Sequence, residues 1–142
     1  MSVSLLTDIK DIPAIVNLSI ELQKERELQS NVPVQYDDFA NWLYLCLEYP
    51  SIEILYSQTQ NDIDGFLILS ESVYPWNHSI KFGTDLMFLC RKNGIKLINL
   101  AKKIAKKRKW DSLILSTTCN DERVDKFMNH ISKQKIGGVY DV

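Results

Sequence analysis

The sequence predicts one α/β (α+β) domain over residues 1–142, with a mixed central sheet of about six strands and four helices in the order β-α-α-β-β-β-α-β-α-β. The stretch from Thr84 to Thr118 carries most of this prediction, because it has the pattern of strand, turn, basic amphipathic helix and strand. The length of 142 residues, with 45% hydrophobic and 25% charged residues, suits a single globular domain with a sizeable core.

The first part of the chain predicts one strand and two helices. Val3–Leu6 has the composition of a short strand, and either Asp8 or Asp11 can cap the helix that follows. A second helix is predicted after a loop, with Asp37 or Asp38 as its cap, because apolar residues then recur at three- and four-residue spacing.

Two apolar runs in the middle of the chain predict a β-hairpin. Ser51–Ser57 and Gly65–Ser70 are the predicted strands, and Gln60–Gly65 is the predicted turn. Glu71–Phe82, which contains Tyr74, Trp76 and His78, is then predicted to be a linker, either at the lip of a binding site or as an ordinary surface loop.

The last third of the chain continues the alternation of helix and strand. Apolar residues recur at helical spacing from Gly94 to Arg108, and Ser112–Thr117 is a continuous apolar run of strand length. Asn120 and Asp121 are predicted caps of a final helix, and Lys135–Val142 is the predicted last strand.

The turn before the basic helix has the chemistry of an anion site. A helix N-terminus carries roughly half a positive charge and up to four unpaired amides, so a phosphate group is stabilised there. Arg91, Lys92 and Lys96 add positive charge. Gly94 has no side chain to hinder a ligand and tolerates a positive φ.

At these residues the chain resembles the GNAT superfamily of acyl-CoA-dependent N-acetyltransferases, as a small member that is divergent or phage-like. The pyrophosphate loop of that family has the pattern Arg/Gln-x-x-Gly-x-Gly/Ala between a strand and a helix. Arg91-Lys92-Asn93-Gly94-Ile95-Lys96 matches it at Arg91 and Gly94 and departs from it at Lys96. The order of elements along nearly the whole chain also resembles the family, whose common last strand is missing.

The resemblance implies acetyl-CoA (coenzyme A) as the cofactor. In that family the backbone of the fourth strand polarises the thioester carbonyl and pairs with the pantetheine arm, while the loop and the following helix hold the phosphates. The residues implied here are Met87, Phe88, Leu89, Arg91, Lys92, Asn93, Gly94, Ile95, Lys96 and Asn120.

Acetyl transfer to a primary amine of a small molecule or a protein requires a group that accepts a proton. Asp85 and Glu71 are the candidate catalytic bases by their order along the chain, and solvated strand-end carboxylates are the alternative for both. A tyrosine of the last helix often acts as the acid in the family, and Met128 stands at that position. A catalytically inactive GNAT-like binding or structural domain therefore remains the alternative function.

Charge is distributed unevenly, although the net charge is only −1. Residues 91–109 hold nine of the 17 Lys and Arg and no Asp or Glu. Such a segment can indicate a nucleic-acid interface, but here it lies on one helix without interleaved exposed aromatic residues, and the pI near 6.1 is low for that class of domain. Nucleic acid is therefore not the favoured partner.

The cysteine spacing and the hydropathy of the sequence indicate the cellular compartment. Cys46, Cys90 and Cys119 are far apart without CxxC spacing, so neither a metal site nor a disulfide framework is predicted. There is no run of about 18 apolar residues and no signal-peptide pattern, so we expect a cytoplasmic protein with no membrane partner. A homodimer is an open alternative, because a partner subunit could complete one sheet edge.

Overall fold

The structure, a computed structural model, describes residues 2–25, 32–116, 122–134 and 136. Its elements follow the predicted order: β1 Ser2–Leu5, a 3-10 helix Ile9–Asp11, α1 Ile12–Glu25, α2 Tyr36–Cys46, β2 Ile52–Thr59, β3 Asp62–Tyr74, β4 Asn77–Cys90, α3 Gly94–Lys107, β5 Ser112–Ile114 and α4 Glu122–Ile131. The predicted last strand, 135–142, lies outside the described residues apart from residue 136, as do the predicted caps Asn120 and Asp121. No helix of the described ranges is long and apolar enough to cross a membrane.

The sheet has the strand order β1-β2-β3-β4-β5. The first three junctions are antiparallel and the junction of β4 with β5 is parallel. A parallel junction requires a crossover connection, and α3 supplies it. The mixed sheet that the sequence predicts is therefore confirmed, with five strands in the described part of the chain.

Strand β3 is the centre of the core, because both of its faces are covered. Phe66 and Ile68 are fully buried in the cluster that α1 and α2 form on one face of the sheet. Leu67 and Leu69 are fully buried on the other face, where they cluster with residues of α3. Side chains of a strand alternate between faces, so this continuous apolar run fills two cores at once.

The predicted linker Glu71–Phe82 is wrong. β3 continues to Tyr74, two residues form the turn, and β4 begins at Asn77. The ring of Tyr74 lies 5.2 Å from that of Trp76 and 4.7 Å from that of Phe82, so aromatic contacts hold the end of the hairpin together. The hairpin around Gln60–Gly65 is confirmed, but the turn itself is only Gln60 and Asn61, both with positive φ.

The helix caps show one agreement and one error. Asp8 accepts a hydrogen bond from the backbone nitrogen of Lys10 at 2.9 Å and so caps the 3-10 helix that leads into α1. For α2 the N-cap is Gln35, not Asp37 or Asp38. Both aspartates lie in the first turn, where their charge interacts favourably with the helix dipole without capping it.

A half-buried ion-pair cluster fixes the end of α3 to the sheet. The guanidinium of Arg108 donates to the carboxylates of Glu53 and Glu71, and to the backbone oxygen of Pro50 at 2.7 Å. The indole nitrogen of Trp110 also donates to Glu71, at 3.0 Å. Two strands, the loop before them and the helix end are thus held by one set of charge-assisted hydrogen bonds.

Candidate active site

Strands β4 and β5 separate soon after they begin to pair. Their parallel ladder covers only Phe82–Thr84 against Ser112–Ile114. At the next position the Asp85 carboxylate accepts hydrogen bonds from the backbone nitrogen of Ser116 at 2.8 Å and from its hydroxyl at 3.1 Å. A side-chain hydrogen bond thus replaces the next backbone hydrogen bond between the two strands. The place where the strands part, with Asp85 at its base, is called the fork below.

A β-bulge bends β4 at the same place. Met87 pairs with Ile68 and Asp85 pairs with Leu69, so Leu86 has no partner in the register and is 48% exposed. Bulges commonly lie beside active sites, because they redirect the strand locally. Beyond Thr84, no strand of the described residues pairs with the β5 side of β4. Among the described residues, the backbone from Met87 to Leu89 therefore has no strand partner on that side.

This edge leads directly into the anion-site turn. β4 ends at Cys90 and α3 begins at Gly94, with Asn93 as its N-cap. The positive φ of this turn belongs to Asn93, at 67°, and no described glycine has a positive φ, so the tolerance that Gly94 offers is not used. Asparagine is among the few residues other than glycine that tolerate this conformation.

Gly94 lies where three side chains approach the start of α3. A Cβ atom on Gly94 would lie 3.1 Å from Cys90 Sγ and 3.7 Å from ring atoms of Phe88 and Phe127. The start of α3 therefore packs closely against both β4 and α4. A side chain longer than a methyl group would push these elements apart at the N-terminus of the helix.

The Arg91 side chain contacts α1. Its guanidinium donates to Glu25 at 2.7 Å and to Glu21 at 3.0 Å. The hydrogen bonds that Arg91 donates to these two carboxylates, Glu25 first, raise the pKa of Arg91. Its backbone nitrogen donates to the backbone oxygen of Asp64 at 2.7 Å. Arg91 thus links the loop to α1, and a contact from its side chain to a phosphate stays a prediction.

The other predicted loop residues lie around the α3 N-terminus. Lys92, Ile95 and Lys96 are exposed, as a site for a soluble anion requires. On β4, Leu89 is buried, and Met87 and Phe88 are half-buried against the two cores. The remaining predicted contact, Asn120, lies outside the described residues.

Asp64 lies beside the loop before α3 and was not among the residues predicted from the sequence. It is 8% exposed, and its carboxylate accepts hydrogen bonds from the hydroxyls of Ser57 and Thr59 and from Asn93 Nδ2 at 3.1 Å. Burial alone would raise the pKa of Asp64, but these hydrogen bonds and the nearby charge of Lys92 outweigh it and lower the pKa. An aspartate before a glycine is typical of a turn, so the sequence pattern predicts a turn residue here and not a buried hydrogen-bond acceptor.

The two candidate bases have different surroundings. Burial raises the pKa of Asp85, against the opposing effect of its hydrogen bonds from Ser116. Hydrogen bonds from Trp110 and then Arg108 lower the pKa of Glu71. Glu71 pairs in register with Gly83, two residues before Asp85, so it lies farther from the open part of the fork. Of the two carboxylates, that of Asp85 is the one at the base of the fork.

The last helix supplies apolar groups to the site. Phe127 and Met128 are half-buried, and the ring of Phe127 is near Gly94 as described above. His130, in the last turn of α4, is exposed. Within the described ranges, no three His, Cys, Asp or Glu side chains are placed to hold a metal ion.

Comparison with known proteins identifies the fold. No family model and no curated protein matches the chain. A ribosomal-protein-alanine N-acetyltransferase from Brucella melitensis biovar Abortus 2308 is similar at 20% identity, with a TM-score of 0.72 over 99% of this chain and 96% of its own. A predicted acetyltransferase with acetyl-CoA from Clostridium acetobutylicum is 14% identical, with a TM-score of 0.72 over 99% and 96%.

A GNAT family acetyltransferase from Staphylococcus aureus is also similar, at 14% identity and a TM-score of 0.68 over 99% of this chain and 98% of its own. These likenesses cover nearly the full length of both chains, so they concern the whole domain and not one motif. The chain has the GNAT acetyltransferase fold, and the resemblance predicted from Arg91–Lys96 and the element order is confirmed at the level of fold.

Proposed function

We propose that the protein is an N-acetyltransferase that transfers an acetyl group from acetyl-CoA to a primary amine. One observation supports the proposal: the edge of β4 that no described strand covers, Met87–Leu89, runs directly into the N-terminus of α3. An extended arm can add to an open strand edge, and a phosphate can bind at a helix N-terminus. The two sites are consecutive here, in the order that a pantetheine arm and its pyrophosphate require.

The residues present fit this cofactor. Gly94 leaves space at the first turn of α3, and Lys92 and Lys96 bring positive charge to the same end of the helix. The first-turn amides of a helix have no partner within the helix, so they are available to a phosphate oxygen. Acetyl-CoA supplies the activated thioester, and the protein holds the thioester and the amine in place for the reaction.

Asp85 is the proposed base. In the reaction a bond forms between the amine nitrogen and the acetyl carbon, the carbon–sulfur bond breaks, and coenzyme A leaves as the thiol. The ammonium proton must be lost before attack, and the Asp85 carboxylate at the base of the fork accepts it, directly or through one water. Because burial raises the pKa of Asp85, it is a stronger base than an exposed aspartate.

The backbone of β4 is the proposed electrophilic group. An N–H of the Met87–Leu89 edge, aimed at the position of the carbonyl oxygen, stabilises the negative charge that develops there. Met128 cannot donate a proton to the departing sulfur, so a water molecule passes to the sulfur the proton that the attacking nitrogen loses as the amide forms. Met128 also favours the second candidate, a domain that binds the cofactor without transferring its acetyl group.

The first test is a calorimetric titration of the protein with acetyl-CoA, repeated on Gly94→Glu. We expect a micromolar dissociation constant, about 8 kcal/mol of binding. We expect it to be lost in the variant, because the new side chain disturbs the close packing of the first turn of α3 against Cys90 and Phe88 and brings a negative charge to the helix N-terminus. Unchanged affinity in Gly94→Glu would show that this loop does not bind acetyl-CoA. Absence of heat and of thermal stabilisation at millimolar acetyl-CoA would overturn the proposal.

Two controls separate charge from crowding. Gly94→Ala adds only the Cβ that lies 3.1 Å from Cys90 Sγ, and we expect it to retain most of the affinity. Asn99→Glu adds a carboxylate to the exposed side of the same helix, and we expect it to bind like the wild type. Thiol release with a panel of amines then distinguishes the two candidates, because the second predicts binding without turnover.

A further inference from the structure

We infer that Asp64 is a positioning residue for the cofactor loop, which keeps the Asn93 side chain away from the α3 amides and so leaves them for a phosphate. The inference rests on the proposed function, because it assigns a role within the same binding site. It concerns a residue of β3 that belongs to neither the loop nor the helix.

The first observation is the conformation of Asn93. An asparagine at an N-cap normally has extended backbone angles, and its side chain accepts a hydrogen bond from the second or third amide of the helix. Asn93 instead has φ 67° and ψ 21°, and it makes no side-chain capping hydrogen bond. Its side-chain nitrogen donates to Asp64 Oδ2 at 3.1 Å. The Asn93 side chain therefore does not cap the N-terminus of α3.

The second observation is that Asp64 holds both ends of the short loop. Its carboxylate accepts a hydrogen bond from the side-chain nitrogen of Asn93, and its backbone oxygen accepts one from the backbone nitrogen of Arg91 at 2.7 Å. The three residues between β4 and α3 are thus attached to one residue of the neighbouring strand. A loop fixed at both ends presents its amides in one geometry, which reduces the ordering that a ligand must impose.

The third observation is the way in which Asp64 is itself held. It is 8% exposed, and the hydroxyls of Ser57 and Thr59 on β2 donate to it. A buried carboxylate with three donors is held in one position, and it strongly prefers a donor such as Asn93 Nδ2. Next to it, Gly65 lets the strands approach, because a Cβ there would lie 2.7 Å from Cys90 Cβ and 2.8 Å from Ser57 Oγ.

The test is a double-mutant cycle on acetyl-CoA affinity. The four proteins are wild type, Asp64→Asn, Asn93→Gly and the double variant, each titrated by calorimetry and melted in parallel. Asp64→Asn removes the negative charge that favours the Asn93 donor and leaves only one carbonyl oxygen for the three donors, so we expect about tenfold weaker binding. Glycine adopts a positive φ without help and has no side chain to cap the helix, so we expect Asn93→Gly to bind within about threefold of the wild type.

The decisive result is whether the effect of Asp64→Asn on acetyl-CoA affinity depends on the residue at position 93. In the Asn93→Gly background, Asp64→Asn should change the affinity less than about twofold, although the melting temperature still falls. A purely structural role would lower the melting temperature in both backgrounds and leave the affinities unlinked. Equal affinity of Asp64→Asn and the wild type, or the same loss in both backgrounds, would overturn the inference.

A variant outside the core covers the case in which Asp64→Asn does not fold. Asn93→Ala removes the donor to Asp64 and disfavours the positive φ, so it should bind about tenfold more weakly than Asn93→Gly. Equal affinity of these two variants would contradict the inference. If the wild type itself does not bind acetyl-CoA, the proposed function falls and this inference with it. If the wild type binds and the variants bind equally, only this inference falls.

Discussion

The Asp85 carboxylate lies 2.8 Å from the backbone nitrogen of Ser116, at the position where β5 leaves β4. The same contact holds the fork and places a carboxylate with a raised pKa at its base. Because the folded-state pKa of Asp85 is above that of the unfolded chain, its contribution to stability is present below the unfolded value and is lost as the pH rises through the folded value. At neutral pH the ionised side chain therefore disfavours folding.

Asp85→Asn should make the protein more stable and less active at neutral pH. The amide oxygen can still accept the Ser116 hydrogen bond, and no charge is buried. We expect a higher melting temperature than the wild type at pH 7 to 8, a difference that shrinks toward pH 4, and about a hundredfold lower kcat with unchanged acetyl-CoA affinity. Thermal melts across pH and a thiol-release assay measure both effects.

Asp111→Asn is the matched control for Asp85→Asn. The Asp111 carboxylate also accepts a backbone N–H, from Lys81 at 2.8 Å, but it lies before the paired part of β5 and away from the open fork. We expect its kcat to equal that of the wild type. An unchanged kcat in Asp85→Asn would mean that the base is another group or solvent.

Glu71→Gln should affect stability and leave catalysis intact. The charge on Glu71 is held by Trp110 and Arg108, which lower its pKa. Its contribution is therefore present above the unfolded pKa and lost as the pH falls through the folded pKa. We expect a loss of about 1 kcal/mol at pH 7, measured by urea unfolding, that disappears in acid. Glu48→Gln, at an exposed position, should have no such effect, and a lower kcat in Glu71→Gln would instead favour it as the base.

Removing the acidic partners of Arg91 should strengthen cofactor binding. Glu21 and Glu25 neutralise the guanidinium beside the proposed phosphate site. We expect the double variant Glu21→Gln, Glu25→Gln to bind acetyl-CoA up to about fivefold more tightly, the range expected for exposed ion pairs. In an Arg91→Ala background the same two changes should have little effect. Weaker binding in the double variant would show that α1 must hold Arg91 in place.

Gly83→Ala should destabilise the fold strongly. A Cβ on Gly83 would lie 2.1 Å from Trp110 Cζ3, because the indole packs directly over the backbone of β4. We expect a loss of about 2 to 3 kcal/mol in urea unfolding. Trp110→Leu in the same chain should relieve part of this cost, so that the double variant is more stable than the sum of the single effects. An additive result would show that the indole does not limit the space at Gly83.

Local patterns account for the parts of the fold that were predicted well. The start of α3 at Gly94 was correct, because the spacing of apolar residues and the turn before them depend on a few consecutive residues. The Glu71–Phe82 region was not, because the hairpin is held by cross-strand pairs and contacts such as that of Tyr74 with Phe82. Pro75 and polar residues there indicate a loop, although only two residues turn.

The sequence by itself determined the order of the elements and an anion-binding turn before a basic helix, since periodicity and turn chemistry are local properties. Only the tertiary structure decided how the site is held. Asp64 meets Asn93 across 29 residues, Asp85 meets Ser116 across 31, and Arg91 meets Glu21 across 70. Such pairs depend on strand register and on how helices pack against the sheet, which no short stretch of sequence encodes.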